Sequence, residues 1–237
     1  MCGRLNITDD PFVIEILTGL GIANPRADMR FGRFKKATDS ISIVHEENGQ
    51  RQLSDATWWL LLDPQPGQGF KPSKYTSFNS RYDKLHVKGS AAYRPFHYSR
   101  CVIVVKGFGE TQFVQGKPHH YYDFIAADGA LCLGGLYKVW HHPDSGQKHY
   151  SCSVITLPAH PKLRRYHDKA SPLILPPNSA ELDAWLDSTQ HDGGRFTHLL
   201  IPHLYQRLAA VQIDKPSQHH PVSEITYIAK DPPRNRV

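Results

Sequence analysis

The second residue of the chain has the most unusual chemistry open to it. Once Met1 is removed, Cys2 carries an α-amine and a thiol on adjacent carbons. An α-amino group titrates near about 7.7 to 8.0, so a substantial fraction is neutral and nucleophilic at physiological pH. Such an amine attacks an aldehyde to give a reversible imine. The neighbouring thiol then adds to the imine and closes a five-membered thiazolidine, a more durable product that no other amino acid can form. A cysteine after the initiator methionine is more often a small side chain at a frayed end. The rest of the chain must therefore decide between the two.

Glu110 is the second residue of interest. It follows the β-branched, apolar run Cys101-Val102-Ile103-Val104-Val105-Lys106-Gly107-Phe108, which reads as one buried strand. At the end of that strand a carboxylate meets both core and cleft, and partial burial raises its pKa towards the range of an acid/base. Cys101, Cys132 and Cys152 form no C-x-x-C pair with each other or with Cys2, and read as free thiols in a reducing cytoplasm. The pairs His119-His120, His141-His142 and His219-His220 do not read as a metal site. Neighbours on a strand point to opposite faces, and neither C-x-x-C nor H-E-x-x-H supplies the rest. No cofactor is expected.

The elements that must position these groups are legible in part. With 237 residues and 40% hydrophobic content the chain is expected to form one domain, residues 1–237, without a membrane span. Asp9 and Asp10 precede any apolar run, which argues against a secretory signal. Asp10-Pro11 opens a helix whose apolar face is Phe12, Ile16, Leu17 and Leu20, with Gly21 ending it. Residues 40–44 and 52–62 read as a hairpin around Asn48-Gly49. The stretch from Asp63 to Arg100 reads as long functional loops with short helical pieces. Residues 121–127, 131–141 and 149–156 read as three more strands in an antiparallel meander. Asn178-Ser179-Ala180-Glu181 caps a helix, and Leu208 to Ile213 returns as a last strand. The fold class is α+β, an antiparallel curled, barrel-like sheet with peripheral helices. Lys plus Arg exceed Asp plus Glu by six, with pI near 9.1, which leaves a polyanionic partner open.

The order of short motifs narrows this further. Met1-Cys2-Gly3-Arg4 comes first, then Trp58-Trp59-Leu60-Leu61, Asn79-Ser80-Arg81 and Gly107-Phe108-Gly109-Glu110. Thr156-Leu157-Pro158-Ala159 precedes His167-Asp168-Lys169. Across most of its length the chain thereby resembles the SOS response-associated peptidase (SRAP) family. Its sequences begin M-C-G-R and carry motifs close to W-G-L-I-P, N-A-R-A-E-T, G-F-Y-E-W and H-D-R-M-P in that order. The resemblance implies a fold of this α+β type, a basic groove for single-stranded DNA, and self-crosslinking through Cys2 to abasic sites. It also implies autocatalytic release of Met1 and a lyase-like reversal of the crosslink.

By resemblance the catalytic residues are Cys2, Asn79, Glu110 and His167. Glu110 would help release Met1 and shuttle protons, and His167 would move protons at the sugar oxygen and in reversal. Asn79 would hold Cys2 and the opened sugar in a reactive geometry. The DNA-binding residues are Arg4, Arg81 and Lys169 on phosphates and Trp58 against a base. Core packing is the equal alternative for Trp58, with Trp59 exposed instead. Several residues depart from the pattern: Tyr82-Asp83-Lys84 replaces E-T, Gly109 an aromatic, Trp59 a glycine and Lys169 an arginine. The expected partner is single-stranded DNA with abasic sites, met by a monomer that takes no metal and touches no membrane. The expected location is cytoplasmic, nucleoid-associated when on DNA. An N-terminal cysteine amidohydrolase and a noncovalent single-strand binding module remain the other readings.

Overall fold

The computed structural model describes residues 3–67, 69–142 and 144–234. In chain order the strands and helices are β1 (Arg4–Ile7), α1 (Pro11–Gly19), α2 (Pro25–Asp28), β2 (Gly32–Lys36), β3 (Ser40–Glu47), β4 (Gln50–Thr57), β5 (Leu62–Gln65) and β6 (Gly69–Pro72). Then come β7 (Asn79–Arg81), α3 (Tyr93–Tyr98), β8 (Arg100–Val105), β9 (Gly107–Val114), β10 (Lys117–Ala126), β11 (Leu131–His141) and β12 (Lys148–Leu157). The chain finishes with β13 (Ser171–Pro172), β14 (Ile174–Leu175), α4 (Ala180–Leu186), β15 (Leu208–Ile213) and β16 (Thr226–Ile228).

These form two main sheets. One closes on itself in the order β12-β4-β3-β8-β11 and back to β12, a five-stranded barrel. The other runs β16-β15-β10-β9-β1-β2. The expected α+β class with a barrel-like sheet is thus what the chain adopts. Every barrel pair is antiparallel except the closing one, where Tyr150 and Ser151 of β12 lie parallel to Ala56 and Thr57 of β4.

Local chemistry explains the elements that were legible. Asp10 caps α1 by accepting from the Phe12 amide at 2.9 Å, and Pro11 takes the first turn, where its missing N–H costs nothing. Gly21, at φ 85°, turns the chain out of the helix. Val13, Ile16 and Leu17 form the buried face, whereas Phe12 turns outward beneath the Lys106 ammonium, 4.7 Å from its ring. The β3–β4 hairpin turns on Asn48 and Gly49, at φ 55° and 72°, as a tight turn between right-twisted strands requires.

Three expectations change. The apolar run is two strands, not one: the chain leaves the barrel at Val105 and enters the second sheet at Gly107. A Cβ at Gly107 would collide with the Phe124 carbonyl, so glycine permits this close crossing. Glu110 therefore sits inside β9 rather than beyond a strand end. Nor do the three later strands form a meander, because β10 pairs with β9 and β15 while β11 and β12 belong to the barrel. The stretch 63–100 contains strands as well as loops, namely β5, β6 and β7.

Arg100 ties the peripheral helices to the barrel. Its guanidinium, 5% exposed, donates to the carbonyls of Phe96, His97, Trp185, Asp187 and Gln190, which gather the ends of α3 and α4. It lies 4.7 Å from the centre of the Phe196 ring. Among the described residues no helix is long and apolar enough to cross a membrane.

Candidate active site

β1 is an interior strand of the second sheet, held between β9 and β2. Arg4 faces Gly109 on one side and Lys36 on the other. Met1 and Cys2, on which the sequence reading depends most, lie outside the described residues. The register brings the first described residues alongside Gly109 and Glu110.

Glu110 is 3% exposed, and burial pushes its carboxyl up to about 7 against the pull of the nearby Arg4 guanidinium. Its Oε2 lies 3.7 Å from Nε2 of His167, a residue 5% exposed. The His167 ring is held from its other side, with Nδ1 2.9 Å from the Thr111 carbonyl. A carbonyl can only accept, so Nδ1 carries the proton and Nε2 turns its lone pair towards the carboxyl. Burial holds the imidazole below its usual pKa, opposed by the Thr111 bond and Asp168. At neutral pH the pair therefore combines a neutral imidazole with a carboxyl balanced between its two forms. That arrangement can take up and deliver protons without leaving a full buried charge stranded.

Arg4 is part of the same structure, which corrects the expectation that it reaches out to phosphate. It is 6% exposed, and its guanidinium donates to the carbonyls of Glu110 at 3.2 Å and Tyr122 at 3.0 Å and pairs with Asp123 at 3.4 Å. It also lies over Gly109, where a Cβ would collide with it, so this departure from the family's aromatic is matched by the seat of Arg4. Asp123, 2% exposed, further accepts from Asn6 at 3.2 Å and from Arg33 at 3.3 Å. Asp123 and Thr111 had escaped notice. An acidic residue inside the run Tyr121 to Ala126 was the available signal for Asp123, but a main-chain acceptor such as that of Thr111 has no residue signature. Asp123→Asn would leave the Arg4 charge buried without its counter-ion, and about 3 kcal/mol of stability should be lost. A urea midpoint equal to that of the parent would refute this.

The remaining candidates gather elsewhere. β7 lies parallel to β12, with Asn79 opposite Val154 and Arg81 opposite Thr156. The Ser80 and Ser153 hydroxyls, 2.7 Å apart, fasten the two strands. Asn79 is half-buried. Arg81 is exposed and lays its fork on the Asp83 carboxylate at 2.9 and 3.0 Å, so the acid that departs from the family pattern already holds this cation. The Lys169 ammonium stands 4.8 Å over the ring of exposed Phe113 on β9.

Trp58 is fully buried, its indole N–H given to the Phe78 carbonyl at 2.8 Å, so it cannot stack on a base. Ala56, Trp58 and Leu60 are all buried, so the inward alternation of β4 continues past its end at Thr57 and carries this ring into the core. Trp59, half-buried and 5.7 Å from the Phe78 ring, is the more accessible of the two. Among the described residues no three of His, Cys, Asp or Glu converge as metal ligands. His119 and His120 do not point to opposite faces. Their rings are 3.9 Å apart where the β9–β10 register slips.

The fold and sequence have known counterparts. A solved protein from Bordetella bronchiseptica superimposes with a TM-score of 0.67 at 20% identity, covering 90% of this chain and all of that one. A second, from Bacteroides thetaiotaomicron, gives 0.66 at 18% identity over 90% and 92%. Among curated proteins, the abasic site processing protein YoqW of Bacillus subtilis is 23% identical over 216 residues, 90% of this chain and 92% of that protein. The abasic site processing protein HMCES of Xenopus tropicalis is 26% identical over 172 residues, 62% of this chain. The match spans half the length of the frog protein. The family model for SOS response associated peptidase (SRAP) matches residues 1–217, and the chain belongs to that family.

Proposed function

We propose that this protein binds single-stranded DNA and joins Cys2, freed by removal of Met1, to the ring-opened aldehyde of an abasic site. The observation that carries the reading is the buried Glu110–His167 pair set against the strand that begins two residues after Cys2. Relatives named as abasic site processing proteins support the choice of substrate.

Hydrolysis of the Met1–Cys2 peptide bond consumes one water and frees methionine. The Cys2 amine then attacks the aldehyde carbon to give a carbinolamine. Protonation of its hydroxyl by Glu110 expels water and leaves an iminium ion beside the Glu110 carboxylate. The thiol adds to the iminium carbon, its proton returns to Glu110, and the thiazolidine ring closes with its nitrogen still carrying hydrogen. His167 accepts or returns the proton at the sugar oxygen as the ring opens, and the reverse sequence releases the DNA. Asn79 orients the opened sugar, while Arg81 and Lys169 supply phosphate contacts. Capping the aldehyde shields the lesion from strand cleavage.

The test is a denaturing gel of purified protein incubated with single-stranded DNA bearing one abasic site, run beside Cys2→Ala. A shifted band that needs Cys2 is expected. No band from protein whose Met1 has been shown by mass spectrometry to be gone would overturn the proposal.

A further inference from the structure

On the outer face of the barrel is a hollow of about 390 Å³ whose lining includes Arg94, Tyr98, Ser99, Lys138 and Trp140 and contains no carboxylate. It forms where α3 packs beside the second half of β11. Lys138 and Trp140 are two residues apart on that strand and so share a face, while Arg94 and Tyr98 come from α3.

Among the described residues that line the hollow, none supplies a counter-ion to the two cations. Burial and the neighbouring Arg94 charge both pull the Lys138 ammonium below its usual range, and no carboxylate opposes them. Two like charges held together in this way are stabilised by an anion placed between them. The aromatic half of the hollow is preorganised. The Trp140 indole N–H is fixed to the Ser151 hydroxyl at 2.8 Å, and the Lys138 ammonium lies 5.6 Å over its ring. Tyr98 is 52% exposed at the other side. The aromatic surface continues to Phe70, 5.9 Å from Trp140, and on to His149, 5.3 Å from Phe70.

Cations alone would suit any anion. Cations beside an exposed tyrosine and a half-buried tryptophan suit a phosphodiester that carries a base. We infer that this hollow is a second, noncovalent contact for a single strand of nucleic acid, with phosphate between Arg94 and Lys138 and a base against Trp140 and Tyr98. This rests on the DNA reading above and extends it to the course of the strand. Lys138 lies opposite Ser151 on β12, whereas Arg81 lies opposite Thr156, five residues further on. The second contact therefore sits ~17 Å along the strand axis from Arg81 and, because the offset is odd, on the other face of the sheet, so a strand that reaches both must cross the barrel rim. A long strand reaches both, and a short oligonucleotide centred on the lesion reaches only the first.

The experiment compares the parent with Arg94→Ala/Lys138→Ala, and separately with Tyr98→Ala, after matched circular dichroism shows that each is folded. Affinity for a long unmodified single strand is measured by fluorescence anisotropy over a range of salt. Crosslinking is measured with a short oligonucleotide carrying an abasic site. The double variant should bind the long strand roughly tenfold more weakly. Its slope of log affinity against log salt should be shallower by about 0.7, the loss of one neutralised phosphate. Tyr98→Ala should weaken binding roughly fivefold or more at an unchanged salt slope. Short-strand crosslinking should stay at the parent's level in all three proteins. Unchanged affinity and salt slope in the double variant would overturn the inference. So would displacement of the long strand by inorganic phosphate as effective as displacement by unlabelled strand. Weakened binding in preparations that give no crosslink would support the contact while counting against the covalent chemistry.

Discussion

Glu110→Gln should slow formation of the crosslinked band by roughly 10²- to 10⁴-fold, the range that general acid–base groups supply. Glutamine keeps the shape and much of the hydrogen bonding of a protonated carboxyl but cannot release its proton. Noncovalent affinity for the same strand should therefore stay within about twofold of the parent. The parent's pH profile should be a narrow bell. Its acid limb rises as the α-amine loses its proton near about 8. Its alkaline limb falls as Glu110, at about 7, loses the proton it must donate. In the glutamine variant the alkaline limb disappears. Parent-like rates across pH 6 to 9 in that variant would remove Glu110 from the mechanism.

The same substitution should stabilise the fold. Because burial raises the Glu110 pKa from 4.5 to about 7, the native state holds a proton that the unfolded chain gives up between those values. Stability consequently falls as pH rises through that window and stays lowered above it, by about 3 kcal/mol. Glu110→Gln escapes this penalty, so its urea midpoint at pH 8 should exceed the parent's, while at pH 4 the two should nearly coincide. A site that costs stability in order to hold a proton ready is expected of a catalytic group rather than of a core residue.

The largest loss of stability should come from Arg100→Ala, at about 3–5 kcal/mol in urea unfolding. Five main-chain carbonyls lose their shared donor at once, in a place where the guanidinium was 5% exposed. Although burial draws that group down to about 10, it remains charged at neutral pH, and it complements the carbonyl ends of α3 and α4. Arg100→Lys should recover only part of the loss, because a single ammonium cannot span five acceptors. A midpoint shift in Arg100→Ala worth less than about 1 kcal/mol would mean that water satisfies those carbonyls instead.

Features governed by neighbours in sequence were legible before the fold was known. Asp10-Pro11 and Asn48-Gly49 specify a helix start and a hairpin through their own backbone preferences, and both occur where expected. Features set by distant partners were not. The run from Cys101 to Phe108 is apolar but for Lys106 and Gly107, so its pattern says that it is buried but not that the chain changes sheets at that interruption. Adjacent Trp58 and Trp59 offer no clue to which ring turns inward, since that depends on the carbonyl of Phe78, twenty residues away. Arg4 looks like an ordinary surface cation until Asp123, 119 residues later, is brought against it. At the site, the apolar run before Glu110 drew attention to it, but only the family motif Gly107-Phe108-Gly109-Glu110 set it apart from an ordinary strand-end carboxylate. His167 could be singled out from fifteen histidines only by the family motif around it.

The strand pairing that seats Arg4 also sets a clock on the ribosome. Arg4 to Asn6 emerge first, yet the segment that flanks them, Gly107 to Gly109, is made about a hundred residues later. At roughly 5–20 residues per second, translation leaves this edge of β1 without its partner for some 5 to 20 seconds, although β2 is already made to cover the other edge. Glu110 and His167 are made later still, so their buried pair assembles only after β1 has waited for its second neighbour.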